Sequence, residues 1–219
     1  MKIETIDFGM VNAFLLQAGE GFVLIDSGLP RHWPMLEQRL AAAGALPDKL
    51  KLVIITHGDR DHTGNCLNLR RQYRTPIAMH PGDVPLVRDG LQPKREIRPL
   101  IFKILYAVMK LLRKHQGAES FSPDLLLADS QRLDQYGLAA TVMHIPGHTK
   151  GSIAVITDDG ELFPGDTVTN RRRPDFASFI EDRAELKNSV IRLQGLNVKT
   201  VYPGHGRQFS REEFLKIKV

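Results

Sequence analysis

The chain has a single cysteine, Cys66, in 219 residues, which excludes an intramolecular disulfide and suits a reducing compartment. Its position one turn into an expected helix reads as a packed thiol rather than a nucleophile. No apolar run reaches the roughly 20 residues that a membrane-spanning helix needs. The opening Met1-Lys2-Ile3-Glu4-Thr5-Ile6-Asp7 puts acids where a secretory signal would carry its apolar stretch. A cytoplasmic protein is therefore expected. No Gly-x-Ser-x-Gly elbow offers a serine nucleophile. Basic residues are not interleaved with aromatics and no RNA-binding motif is present, so no nucleic-acid partner is expected. A formal charge of +5 is modest and chiefly a matter of solubility, with a secondary leaning toward anionic substrates.

What is present is ordinary for a soluble globular protein, with 42% hydrophobic and 25% charged residues. The length predicts one domain over 1–219. Most of its chemistry is concentrated in Thr56-His57-Gly58-Asp59-Arg60-Asp61-His62-Thr63-Gly64, directly after the β-like run Leu52-Val53-Ile54-Ile55. A buried strand that breaks into alternating acids and imidazoles, then into a helix start, predicts a ligand-bearing loop. His57 and Asp59 can face one point while Asp61 and His62 serve a second, so one loop could hold two metal ions. Four more signals share the same grammar of an apolar run followed by a Gly-containing turn: Asp26 before Ser27-Gly28, His148 in Pro146-Gly147-His148, Asp166 in Pro164-Gly165-Asp166 and His205 in Pro203-Gly204-His205.

In order and context these five signals resemble the metallo-β-lactamase superfamily over nearly the whole chain. The resemblance implies an α/β fold, a four-layer αβ/βα sandwich with the metals at one edge. It implies that His57, His148 and, with or without it, Asp59 hold a first divalent ion, that Asp61, His62 and His205 hold a second, and that Asp166 bridges. Asp26 would support the metal loop through hydrogen bonds. The family loop usually reads His-x-His-x-Asp-His, and Asp59 stands where its second His belongs. A carboxylate there makes the site harder and more anionic, so iron or manganese joins zinc, the usual family metal, as a candidate. Asp59→His is then expected to raise zinc occupancy.

The implied activity is hydrolysis of a small ester, lactone, thioester or phosphoester by a metal-bridging hydroxide, with Asp166 and Asp61 as the catalytic carboxylates and Asp61 as proton acceptor. Lys150 and the run Arg171-Arg172-Arg173 are candidate contacts to an anionic substrate, though a charged run is more often a solvated loop. Two other readings stand beside this one. A mononuclear non-haem iron dioxygenase of the persulfide dioxygenase type would use His57, His148 and Asp166 alone. A non-catalytic binding protein on the same fold would treat Asp59 as a first sign of decay.

Trp33 to Ala43, Asn65 to Tyr73 and Asp182 to Leu193 are expected helices, the last burying Ala184, Leu186, Val190, Ile191 and Leu193. A helical insert is expected over about 84–123. Within it, Leu100 to Leu112 is apolar around most of its circumference, with Lys103, Lys110 and Lys114 on a narrow polar stripe. This helix, about 99–114, reads as an active-site lid or a homodimer contact, and secondarily as an element resting on a membrane surface.

Overall fold

The computed structural model describes residues 1–97 and 119–218. The apolar helix expected over 99–114, and with it the lid, dimer and membrane readings, lies outside the described residues. No helix among the described residues is long and apolar enough to cross a membrane.

The chain opens with an antiparallel meander, β1 (Ile3–Asp7), β2 (Asn12–Ala18) and β3 (Gly21–Ile25). The link from β2 to β3 is the two-residue turn Gly19-Glu20, in which Gly19 takes φ +54 at no steric cost. Helix α1 (Trp33–Ala42) then crosses over to β4 (Leu50–Ile54), which lies parallel to β3. The short turn α2 (Arg60–Thr63) and α3 (Cys66–Tyr73) lead to β5 (Ile77–Met79), parallel to β4. After α4 (Val84–Arg88) and β6 (Glu96–Ile97), β7 (Leu125–Leu126) closes the far edge, giving a sheet of order β1-β2-β3-β4-β5-β7.

The second sheet begins with β8 (Ala140–His144), β9 (Ile153–Thr157) and β10 (Glu161–Phe163), with β9 antiparallel to both β8 and β10 and Gly160 at φ +90 in the β9–β10 turn. The small strands β11 (Val168–Thr169), β12 (Asp175–Phe176) and β13 (Phe179–Ile180) follow, β13 pairing with β6. Helix α5 (Arg183–Gln194) is started by Asp182, whose carboxylate accepts from the Ala184 and Glu185 amides. Strands β14 (Thr200–Val201) and β15 (Phe209–Ser210) complete the order β15-β14-β10-β9-β8, and α6 (Arg211–Phe214) starts in a Ser210/Glu213 capping box.

Alternation along the strands builds the layers. Phe14, Leu16, Val23, Ile25, Leu52 and Ile54 of the first sheet meet Val142, Ile153, Val155 and Phe163 of the second. Ala13, Leu15, Leu24 and Val53 point the other way, onto Leu36 and Leu40 of α1 and Leu69 and Tyr73 of α3. Ala154 and Leu162 likewise turn outward onto Val190 and Leu193 of α5 and Phe214 of α6. The result is helix, sheet, sheet, helix, the αβ/βα sandwich. Expectation fails on one face of α5: Ile191 is 55% exposed and Ala184 is exposed too, while Ser189 is buried. At 100° per residue, Leu186, Ser189, Val190 and Leu193 form one stripe, and positions 184 and 191 fall off it.

Strand direction decides where the ligands arrive. In the first sheet β3 and β4 are parallel; in the second, β8, β10 and β14 run the same way, because β9 is antiparallel to both β8 and β10 and β14 is parallel to β10. Asp26 follows β3, His57 follows β4, His148 follows β8, Asp166 follows β10 and His205 follows β14. All five therefore leave their sheets at the carboxyl ends of strands.

Candidate metal centre

The loops at that edge are laced together by main-chain hydrogen bonds, both between the two sheets and within the second. The Ile153 amide donates to the Thr56 carbonyl at 2.8 Å, that of Asn12 to Gly204 at 2.8 Å and that of Gly204 to Gly165 at 2.9 Å. The seven sequence-predicted candidate ligands are brought together there. Asp61 and His62 stand on the one-turn helix α2 rather than in an extended loop, which separates their directions as adjacent residues on a helix must be.

Three groups form within it: His57, Asp59 and His148; His57, His62 and Asp166; Asp61, His62 and His205. Within each, one potential ligand atom per residue lies within 4.8 Å of the others. Asp166 stands between the halves, Oδ1 at 3.3 Å from His62 Nε2 and Oδ2 at 2.9 Å from His205 Nε2 and 4.0 Å from His148 Nε2. Asp61 Oδ2 is 3.5 Å from His205 Nε2. The four imidazoles are buried, whereas the Asp59 and Asp61 side chains are 26% and 36% exposed, so the carboxylates line the way in from solvent.

Each imidazole is held by Nδ1. His62 donates from Nδ1 to Asp26 Oδ2 at 2.8 Å, His148 to the Phe179 carbonyl at 2.6 Å and His205 to the Met10 carbonyl. Thr56 Oγ1 donates to Asp26 Oδ2 at 2.8 Å, so it accepts from His57 Nδ1 at 3.0 Å. Carbonyls and carboxylates cannot donate, so the proton sits on Nδ1 in the neutral ring and the Nε2 lone pair is aimed inward. His57, His62 and His148 Nε2 and Asp166 Oδ1 are buried without a hydrogen-bond partner. Converging lone pairs that no protein donor satisfies are what a divalent cation requires, and this donor set of imidazole and carboxylate fits zinc, iron or manganese.

The electrostatics agree with a cation-shaped site. Burial pushes the Asp166 carboxyl up, but His205 and His62 outweigh it and hold it well below the usual carboxylate range. His62 is raised well above its ordinary value against burial, by Asp26 and Asp166, and His205 is raised against burial by Asp166. His57 goes the other way, lowered by burial and by the neighbouring His62. Cys66, buried in α3, has its thiol pushed up to about 12 by burial, in keeping with a packed rather than reactive side chain.

Asp26 bonds to the metal loop as expected: its carboxylate also accepts from the Thr56 amide at 2.8 Å. The candidate substrate contacts do not gather at the centre. Lys150 is exposed, its amide donating to Glu181, and Arg171, Arg172 and Arg173 are exposed in the turn before β12, with Arg173 4.0 Å from Asp175.

Two residues that the sequence reading passed over touch the site. Asp83, fully buried, accepts from the Gly58 amide, the Thr149 hydroxyl and the Gly151 amide, each at 2.7 Å, and so ties the His57 loop to the His148 loop. Its Pro81-Gly82-Asp83 repeats the Pro-Gly-Asp of 164–166, a signal that could have found it. Arg95 forks onto Asp59, and no local pattern marks it. Gly204 completes the cradle: a β-carbon there would strike Asp166 Oδ1 and come within 2.8 Å of His62 Cε1. Gly204→Ala is therefore expected to weaken metal binding roughly 10- to 100-fold, the range seen when the surroundings of a metal ligand are disturbed. Competition against a chromophoric chelator measures it; unchanged affinity would show that the gap between Asp166 and His62 is not where an ion sits.

A buried nest of imidazoles and carboxylates at the mouth of an αβ/βα sandwich is the equipment of a metal-dependent hydrolase. Residues 6–205 match the family model described as metallo-beta-lactamase superfamily, and the chain belongs to that superfamily. It is 28% identical over 211 residues to a probable metallo-hydrolase, YflN, of Bacillus subtilis (strain 168), covering 88% of this chain and 78% of the relative. It is 27% identical over 221 residues to the acyl-coenzyme A thioesterase MBLAC2 of Bos taurus, covering 94% and 76%. Among solved structures it is similar to the metallo-beta-lactamase family protein TTHA1429 from Thermus thermophilus, at a TM-score of 0.72 and 19% identity over 98% of this chain and 77% of that one.

Proposed function

We propose that this chain holds two divalent cations and hydrolyses a small ester or thioester, with a thioester of the acyl-coenzyme A kind as the leading substrate class. The observation that carries the reading is the convergence of imidazole Nε2 lone pairs, most of them buried and unpartnered, on Asp166. His57, Asp59 and His148 would hold one ion, Asp61, His62 and His205 the other, and Asp166 would lie between them. Such ions supply a water acidic enough to ionise near neutral pH and positive charge for the oxygen of the attacked carbonyl. The gathering of Asp61, His62 and His205 supports two ions over the single iron of a dioxygenase.

The residues at the mouth then divide the remaining work. Asp61, the more exposed of the two entrance carboxylates, is placed to take the proton of the attacking water and pass it to solvent. Asp59 serves only as an acceptor: burial raises its carboxyl, but Arg95, with His148 and His57, holds it well below the usual range. An alcohol leaving group would ask for a general acid. A thiol, with an ordinary pKa near 8.5, leaves as thiolate and asks for none, which favours the thioester. The names of MBLAC2 and of the fungal atrochrysone carboxyl ACP thioesterase, 25% identical over 89% of this chain and 50% of that one, point the same way, as does the net positive charge for so anionic a substrate.

The test is thiol release from acyl-coenzyme A esters by zinc-, iron- and manganese-loaded protein, beside a lactone and a phosphodiester. Chelator-sensitive thiol release is expected, and Asp166→Asn should lower it by more than roughly 100-fold, the upper end for losing an outer partner of a metal ligand. Turnover of the lactone or phosphodiester without thiol release would reject the thioester; inertness to every substrate with both ions bound would leave a binding protein.

A further inference from the structure

Arg95 lies just ahead of β6, yet its side chain, 13% exposed, reaches the metal loop. Its Nη1 donates to Asp59 Oδ2 at 2.6 Å and its Nη2 to Asp59 Oδ1 at 2.8 Å, the bidentate fork of a guanidinium on a carboxylate. The same Asp59 Oδ2 is 3.2 Å from His148 Nε2 and 3.5 Å from His57 Nε2. A carboxylate has about four lone-pair directions and the fork takes two, so the oxygen that faces the imidazoles keeps one for a cation.

We propose that Arg95 and Asp59 act as one ligand of zero net charge, and that Arg95 thereby sets the metal affinity of the His57, Asp59 and His148 site. The proposal rests on reading those residues as a metal site. An ion pair exposed by only 13% and 26% gains little net stability, because desolvation of the two charges offsets much of their attraction. Its placement explains it better. Asp59 alone would leave the site one charge more negative; with Arg95 on its outer face it presents an oxygen donor whose charge is cancelled, electrostatically equivalent to a neutral imidazole. Arg95 is a positioning residue here, acting on the ion through Asp59.

This reverses the expectation drawn from the sequence for Asp59→His. An imidazole at position 59 would leave a buried guanidinium unpaired beside a dication, and so near a charge is expected to change affinity roughly tenfold or more. Zinc binding should therefore fall in that variant rather than rise, and should recover only when Arg95 is removed as well.

The test is a chelator-competition titration with zinc and with manganese on the full chain, with the step lost in His57→Ala marking this site. Melting of each metal-free variant is followed alongside. Arg95→Met is expected to tighten the step by about tenfold or more, Asp59→His to weaken it by a similar factor, and Asp59→His/Arg95→Met to return within about threefold of the unaltered protein. Should Arg95→Met not fold, Arg95→Gln removes the charge while keeping a hydrogen bond to Asp59 and carries the same expectation. Arg95→Met binding metal as the unaltered protein does, or more weakly, would overturn the proposal. So would Asp59→His binding as tightly as the double variant. Unaltered protein that takes up no metal would sink the metal reading and this proposal with it, whereas normal uptake with uncoupled variants would sink the proposal alone.

Discussion

Asp26→Ala is expected to cost the metal-free protein about 3–5 kcal/mol and to lower its metal affinity roughly 10- to 100-fold. Asp26 is fully buried and spends both oxygens on the metal loop, accepting from the Thr56 amide, the Thr56 hydroxyl and His62 Nδ1. Through Thr56 it also fixes His57, so one carboxylate sets the ring orientation of two candidate ligands. Alanine leaves a buried amide and a buried imidazole unpaired, and it fits poorly at φ +60, which Asp tolerates better. Asp26→Asn separates the two effects. It keeps shape and left-handed tolerance, but its amide nitrogen can only donate. Turned toward His62 Nδ1, it would move the ring proton to Nε2 and remove the lone pair a metal needs. Urea denaturation should then show a modest loss and metal titration a large one. An Asp26→Asn protein that binds metal normally would show that the tautomer of His62 does not depend on Asp26.

The sequence made the metal loops legible because each obeys a local rule: an apolar run that stays buried, then a titratable side chain in a Gly-containing turn. Those rules placed Asp26, His57, His148, Asp166 and His205 at strand ends, and the structure brings them to one edge. What escaped were partners chosen by three-dimensional proximity. Arg95 is thirty-six residues from Asp59, at the start of a basic stretch that the sequence associates with the neighbouring apolar helix rather than with the metal loop. The Met10 and Phe179 carbonyls that fix His205 and His148 carry no side-chain signature at all. The reverse error appears at α5, where hydrophobicity suggested Ile191 but helical geometry turns it to solvent. Asp59 illustrates the general limit: its chemistry could be read from its type, but its effective charge depends on a guanidinium delivered by another segment.

Stripping the metal should lower the melting temperature, and the gap between loaded and stripped protein should widen as pH rises from 6.5 to 8.5. In the stripped protein His62 and His205 are raised above their ordinary values, against burial, by their carboxylate neighbours. A raised imidazole contributes stability that is full below its unfolded value, about 6.5, and is lost as pH climbs through the folded value. Asp59 and Asp166 are depressed, so their contribution is present above about 3.9 and lost only as pH falls through their folded values. The stripped protein therefore gains most from these groups between about pH 4 and 6.5. Loaded protein behaves oppositely, because a cation on His62 and His205 must displace their protons. His57, lowered by burial and by His62, holds its proton less firmly and adds less to this competition. Two protons displaced make apparent affinity rise by up to about two decades per pH unit until the raised values are passed. At metal a thousandfold above its dissociation constant the stabilisation is about 4 kcal/mol, and for a chain of 219 residues each kcal/mol is roughly 2–4 °C. Paired melts at fixed free zinc across that pH range measure the effect. A gap that stays level or narrows would mean that protons and metal do not compete for the same nitrogens, and the inward-facing Nε2 atoms would lose their role as ligands.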